Sequence, residues 1–228
     1  MLNNITLSQK QKQVILGGLL GDAYCNKKRN FIRFSQSSKQ KEYLKWKYSL
    51  FDKDNTSKIY ERVYKEGYKN FSFELYNTNC QYDDLYVYIK KYLYTNQGRK
   101  KISLKYLSEL DPLGLAVWWM DDGSLCNSKG NRWGKLCTEC FNYEEHILLQ
   151  KYFKTKWDID VKITKEKDKY YFINFNAHAL RKLISIIYPY VLEIPTMVYK
   201  IDMNYKRNIE LGEFQQVYDT IKQAKLTF

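Results

Sequence analysis

The sequence predicts an α+β fold made of two repeated halves related by a pseudo-twofold axis. Three observations point to it. Two apolar helical segments end in aspartates, Asp22 and Asp122, that stand 100 residues apart. The same succession of strand and helix signals follows each of them. A basic segment closes each half, Arg99-Lys100-Lys101 in the first and Tyr199-Lys200 in the second, and Lys101 and Lys200 are 99 residues apart.

Each half opens with a helix. Thr6 and Ser8 both have a polar residue three positions on, Gln9 and Gln11, as a capping box requires. Val14, Ile15, Leu16, Leu19 and Leu20 then make a segment apolar on most sides, which is the pattern of a buried helix. Gly17, Gly18 and Gly21 each cost about 1 kcal/mol against Ala in a helix interior. Small residues one turn apart compensate by letting a second backbone come close. The helix is expected to stop at Gly21-Asp22. In the second half Asp111-Pro112 supplies an N-cap acid and a first-turn proline. Leu113, Leu115, Ala116, Val117, Trp118, Trp119 and Met120 follow, with Gly123 as the expected terminator.

Past these helices the repeat continues. Phe31–Gln36 and Lys135–Glu139 read as strands, each followed by a helical stretch, Lys39–Phe51 and Tyr143–Trp157. Hairpin signals come next, Lys58–Tyr64 with Phe71–Tyr76, and Val161–Thr164 with Tyr170–Phe175. Further helices are expected over Asp83–Tyr94 and Ala177–Tyr190. The domain boundaries follow: 1–98 for the first half, 99–110 for the connection and 111–228 for the second half. The connection is neither long nor rich in Gly and Pro, so the halves are expected to pack together.

Charge narrows the function. The 228 residues include 38 Lys+Arg against 25 Asp+Glu, a formal net charge of +13. A surface this basic attracts polyanions, nucleic acid first. AT-rich coding also enriches Lys, Asn, Tyr and Ile, but it does not set acids at matched positions. With 22 Tyr, 11 Phe and 5 Trp the chain is not a disordered one. No apolar run approaches the roughly 18 residues of a membrane helix, so no membrane partner is expected, and Met1–Asn26 lacks a secretory pattern. Five Cys, an odd number, are read as scattered without a C-x-x-C pair, which argues against disulfide-rich and zinc-ribbon classes and fits a reducing compartment.

Asp22 and Asp122 are the candidate chemical centre. A carboxylate at the C-terminus of a buried helix faces the negative end of the helix dipole and is poorly solvated. Two of them, after helices suited to close approach, are expected to converge. Converging carboxylates repel unless a cation lies between them. Mg2+ takes oxygen ligands and keeps several waters, and the backbone carbonyls of Gly21 and Asp121 are available beside the two side chains. Turn acids in a duplicated structural protein remain the bland alternative at this point.

Ile15-Leu16-Gly17-Gly18-Leu19-Leu20-Gly21-Asp22-Ala23 and Leu115-Ala116-Val117-Trp118-Trp119-Met120-Asp121-Asp122-Gly123 both resemble the LAGLIDADG motif. With Pro195-Thr196-Met197-Val198-Tyr199-Lys200 in phase, the chain from about Leu7 to Lys200 resembles single-chain, two-motif LAGLIDADG homing endonucleases encoded in group I introns. The resemblance implies motif helices packed side by side and, in each half, a four-stranded antiparallel sheet forming a saddle over the DNA major groove. It places Asp22 and Asp122 beside the scissile phosphates. It implies a site-specific endonuclease that recognises a long target, cuts both strands across the minor groove to leave 3′ overhangs and promotes intron homing. Mg2+ is the implied cofactor. Mn2+ is expected to substitute, and Ca2+ to bind without supporting efficient cleavage. Val117, Trp118 and Trp119 are heavier than the usual motif residues, so the helix packing is expected to be asymmetric.

The resemblance also assigns supporting residues. Lys101 and Lys200 match the family's active-site lysines, with Lys100 the neighbouring competitor. Gln36 and Glu139 fall where the family places a polar residue that handles active-site water. His146 and His178 stand alone and are not expected to bind metal. Hairpin residues are expected to bind DNA, turn lysines on phosphates and alternate strand residues on base edges. They are Lys27, Lys28, Arg29, Arg33 and Lys39, then Arg62, Lys65 and Lys69, and in the second half Lys129, Arg132, Trp133, Lys135, Lys162, Lys165 and Lys167. The expected partner is double-stranded DNA, bound by a monomer. The alternatives are a group I intron maturase, with its host intron RNA as partner, and a duplicated DNA-binding module without nuclease activity. The AT-biased composition points to an organelle, a mitochondrion first, with a bacterial cytoplasm as the alternative.

Overall fold

The computed structural model describes residues 7–26, 28–51, 56–64, 67–77, 82–128, 131–167 and 169–203. Helix α1 (Gln9–Leu20) starts at Ser8, whose hydroxyl accepts from the Gln11 N–H while the Gln11 side chain accepts from the Ser8 N–H. Thr6, the other expected cap, lies outside the described residues. Strands β1 (Tyr24–Asn26) and β2 (Phe31–Ser37), helix α2 (Lys41–Ser49), strands β3 (Tyr60–Val63) and β4 (Lys69–Tyr76) and helix α3 (Asp83–Leu93) complete the first half. A short helix α4 (Leu104–Ser108) lies in the connection.

The second half repeats the order with α5 (Pro112–Asp122), β5 (Gly123–Ser128), β6 (Asn131–Leu136), α6 (Tyr143–Trp157), β7 (Lys162–Glu166), β8 (Tyr170–Phe175) and α7 (Ala177–Val191). Each half holds a four-stranded antiparallel sheet, in the orders β1-β2-β4-β3 and β5-β6-β8-β7. The identical strand order makes the duplication visible in three dimensions. Among the described residues no helix is long and apolar enough to cross a membrane.

One expectation is corrected. The strand expected over Lys135–Glu139 ends at Leu136, because Thr138 turns the chain toward the α6 N-cap, Asn142. Gly123 caps α5 as expected, its N–H donating to Trp119 O, and its extended backbone opens β5. Glycine is required there because a Cβ would overlap the Trp119 ring.

The molecule is held at its centre by α1 against α5. The helices run side by side in the same direction. Near their starts, Gln13 Nε2 donates to Glu109 O and Gln13 Oε1 accepts from the Asp111 N–H, at 2.8 and 2.9 Å. Halfway along, a Cβ on Gly17 would overlap the Gly114 carbonyl, so the backbones touch there with no side chain between them. At their ends, a Cβ on Gly21 would lie 2.5 Å from the Asp121 Cβ. Close contact between the glycine-bearing faces offsets the propensity lost at each glycine. Trp118 and Trp119 are fully buried on the side away from α1, against Phe153 and Phe175. The heavy residues of the second motif therefore fill their own half, and the interface stays thin.

Sheet alternation defines an inner and an open face. Ile32, Phe34 and Gln36 on β2 and Phe71, Phe73 and Leu75 on β4 point inward to the helices. Arg33, Ser35, Ser72 and Glu74 lie on the open face.

Candidate active site

Helix packing brings the ends of α1 and α5 together, and with them Asp22, Asp121 and Asp122. Asp122 feels the charge of Asp22, and both feel Asp121. Asp22 is exposed as a residue although its carboxyl packs against Gln36, and Asp122 is half-buried. Burial, then repulsion from Asp121, pushes the Asp22 carboxyl up to about 6. Burial, Asp121 and Asp22 together push Asp122 up to about 8. Lys47, Gln36 and Lys200 hold Asp22 lower, and Lys100 and Lys200 hold Asp122 lower.

Gln36 reaches the site from β2. Its Nε2 donates to Asp22 Oδ2 and to Asp121 Oδ1, both at 3.0 Å. The two carboxylates fix the amide's orientation, since a flipped amide would set its oxygen against two anions. The Gln36 Oε1 is buried and has no hydrogen-bond partner among the described residues.

Lys200 sits at the end of a 3-10 helix, Pro195–Lys200. The Trp119 indole N–H donates to the Lys200 carbonyl at 2.8 Å, and Lys200 Nζ donates to Gly123 O at 2.6 Å. In the connection it is Lys100 that enters the site. Its Nζ donates to Gly21 O at 2.9 Å and to Ala23 O at 3.1 Å. Arg99 bonds Glu145 with two guanidinium nitrogens, and the Ile102 N–H donates to the same carboxylate. The extended backbone between these anchors alternates its side chains, so Lys100 faces inward and Lys101 does not. The structure thus does not bring Lys101 to the carboxylates. Burial pulls the Lys100 and Lys200 ammonium groups below the usual lysine range, and the aspartates pull them back up. The lysines are crossed: Lys100 couples most strongly to Asp122, and Lys200 couples to Asp121 and Asp22 ahead of Asp122.

Glu139 is not brought to the site either. It pairs with Lys135 at 2.8 Å. Continuing the β1–β2 register sets Asp22 opposite Ser35, and the Cys137 N–H donates to Asp122 O at 3.1 Å. The counterpart of Gln36 is therefore Thr138, which is buried and bonded to His146 Nε2 at 2.9 Å. His146 also bonds Asn142 O, so it is a structural residue. Cys137 and Cys140 flank the second site, and both thiols feel Asp122. They stand in a C-x-x-C spacing, which corrects the reading of the cysteines as scattered without such a pair.

The donor set fits a hard cation. It consists of carboxylate and carbonyl oxygens, and burial together with mutual repulsion raises two of the carboxyls. The Gly21 carbonyl accepts from Lys100 yet keeps a second lone pair. Among the described residues no three His, Cys, Asp or Glu side chains converge on one point. A cation held here would draw its remaining ligands from water and phosphate.

On the expected DNA surface, Lys28, Arg29, Lys39, Arg62, Lys162, Lys165 and Lys167 are exposed. Lys27, Lys65 and Lys129 lie outside the described residues. Arg33 pairs with Glu74 directly across β2–β4, Lys69 with Glu61 at 2.7 Å, and Lys135 with Glu166 at 2.7 Å as well as with Glu139. Part of their charge is therefore satisfied within the protein. Arg132 and Trp133 are half-buried on β6, with Trp133 stacked on Phe172 at 6.2 Å and Lys135 Nζ 4.4 Å from the same ring.

A duplicated α+β molecule with one acid at the base of each central helix defines the class of two-motif saddle proteins. A profile of the LAGLIDADG DNA endonuclease family matches residues 12–183, and the chain belongs to that family. The homing endonuclease I-WcaI, in a structure bound to its DNA recognition sequence, superposes with a TM-score of 0.71 and 26% identity, covering 89% of this chain and 90% of that one. The cytochrome b mRNA maturase bI2 of Saccharomyces cerevisiae is 30% identical over 219 residues, 88% of this chain and 49% of the maturase. Protein RecA of Mycobacterium shimoidei is 29% identical over 211 residues, 86% of this chain and 47% of that protein. The chain thus spans about half the length of these two curated relatives.

Proposed function

We propose that this protein is a site-specific, metal-dependent DNA endonuclease that acts as a monomer, cuts both strands of a long target across the minor groove and leaves 3′ overhangs, promoting intron homing. The observation that carries this is the pair Asp22 and Asp122 at the bases of two touching helices, with a lysine ammonium bonded to the backbone beside each of them. The fold likeness to the DNA-bound I-WcaI supports duplex DNA as the partner. Asp22 and Asp122, with the Gly21 and Asp121 carbonyls beside them, would hold Mg2+. A divalent cation there supplies charge stabilisation at the phosphate and lowers the pKa of bound water. Lys100 and Lys200 are each poised to offer an ammonium to a phosphate oxygen as negative charge grows on it. Gln36 donates to both Asp22 and Asp121 and so holds the Asp22 carboxylate in place. The open sheet faces spread recognition over many weak contacts.

Incubating the protein with cognate DNA in Mg2+ and in EDTA tests this. Metal-dependent double-strand breaks with 3′ overhangs are expected, and binding without cleavage in Mg2+ would leave only the DNA-binding module. Both interface helices come from one chain, so sedimentation should give one protein per duplex. The likeness to the bI2 maturase favours a second reading, binding of the host intron RNA, which splicing rescue would identify. An organellar, chiefly mitochondrial, location is proposed from composition, with a bacterial cytoplasm as the alternative, and imaging of the tagged protein in its host would decide it.

A further inference from the structure

Lys47 has no part in the cleavage chemistry just described, yet it is wholly buried. Lysine is almost never buried unless paired. The Lys47 side chain is 1% exposed and faces an Asp121 side chain that is 0% exposed. Its Nζ donates to Asp121 Oδ1 at 2.7 Å and lies 4.1 Å from the centroid of the Tyr43 ring. Lys47 belongs to α2 of the first half and Asp121 to α5 of the second, so the ion pair crosses the centre of the molecule. Stability alone does not account for it, since well-packed apolar residues hold such an interface at least as well.

What the pair does is hold the Asp22 site. Asp121 Oδ1 also accepts from Gln36 Nε2 at 3.0 Å, and Asp121 Oδ2 accepts from the Asp22 N–H at 3.3 Å. Gln36 in turn reaches Asp22 Oδ2. Without Lys47, Asp121 would be a third uncompensated negative charge beside Asp22 and Asp122. With it, Asp121 fixes both the amide that holds the Asp22 carboxylate and the backbone N–H of Asp22.

Among the described residues no such device exists at the other site. The two motifs align Asp121 with Gly21. The strand register aligns Gln36 with Thr138. Lys41 and Tyr143 open α2 and α6, and the same spacing aligns Lys47 with the buried apolar Leu149. Gly21, Thr138 and Leu149 offer no carboxylate, amide or cation.

We propose that Lys47 and Asp121 are positioning residues for the Asp22 site alone, so that the two DNA strands are cut by sites of unequal construction and only one cut depends on the buried pair. The proposal rests on the nuclease reading above.

The test is single-turnover cleavage of a cognate duplex carrying a different label on each strand. The variants are Lys47→Met, the charge-free pair Lys47→Met/Asp121→Leu, and Gln36→Ala. The double variant removes both buried charges and so keeps the experiment informative if Lys47→Met alone fails to fold. Its fold and its affinity for cognate DNA in Ca2+ should match the wild type within about threefold. Cleavage of one strand should slow by about tenfold or more, the size of effect that misplaced reacting groups produce, while the other strand is cut at a nearly normal rate and nicked product accumulates. Gln36→Ala should slow the same strand. Equal slowing of both strands, no slowing, or slowing of the strand opposite to that affected by Gln36→Ala would each overturn the proposal. The wild-type lane reads the nuclease activity independently, and absence of any cut there would sink that reading and the proposal together.

Discussion

Lys100 reaches from the connecting segment to the turn after the first motif helix, where its ammonium donates to the Gly21 carbonyl at 2.9 Å. The contact ties the join between the halves to the base of α1. The same ammonium couples most strongly to Asp122, the acid of the other motif. One lysine thus bridges both sites, and the adjacent Lys101 takes no part.

This separates two neighbouring lysines by experiment. Lys100→Met and Lys200→Met should cut about 10- to 1000-fold more slowly at saturating protein, the range for losing a donor that acts mainly in the transition state. Their affinity for cognate DNA in Ca2+ should stay near normal. Lys101→Met should cut at close to the wild-type rate. Single-turnover rates for the three variants decide this, and slow chemistry confined to Lys101→Met would return the role to that residue.

The raised aspartates set a pH dependence. An unfolded aspartate titrates near pH 3.9, whereas Asp22 and Asp122 titrate at about 6 and about 8 in the folded protein. The folded metal-free chain therefore keeps protons that the unfolded chain releases. That contribution to stability is full below the unfolded pKa and is lost as pH rises through the two folded values. Melting temperature in EDTA should fall between about pH 5 and pH 9, and Asp122→Asn should flatten the upper part of the fall. Ca2+ needs the ionised acids, so its stabilising effect should grow with pH over the same window. Thermal melts across pH, with and without Ca2+, check both signs.

Gly17 tests the thin interface. A methyl group there would meet the Gly114 carbonyl and the Val117 Cβ. Gly17→Ala should force α1 and α5 apart and cost about 1–3 kcal/mol, as overpacking does. Cleavage of both strands should suffer together, because the helix contact sets both acids. Denaturant unfolding and strand-resolved rates measure the two effects, and wild-type stability would show that the contact has slack.

Turn cations should behave differently from the site lysines. Lys28 and Lys162 are exposed at hairpin positions. Replacing either with Ala should weaken cognate and non-cognate binding alike and lower the salt slope by about one unit for each phosphate no longer neutralised. A salt titration of affinity measures this. An unchanged slope would remove the residue from the DNA surface.

Spacing along the chain determined the duplication, the order of elements in each half, and the positions of Asp22 and Asp122. It could do so because helix and strand periodicities, caps and glycine-bearing faces are local properties. Ser8, Asp111 and the span of α6 were legible for that reason. Tertiary structure decided what local pattern does not encode. Lys100 rather than Lys101 enters the site because Glu145, more than 40 residues away, anchors Arg99 and Ile102 on either side. Thr138 rather than Glu139 matches Gln36 because strand register, not residue count, aligns the halves, and the second half carries a two-residue shift. Lys47 looked like one more helix lysine until packing buried it against Asp121, 74 residues on. Burial and charge compensation arise only when the two halves close on each other, and there an ordinary surface residue type becomes part of the site.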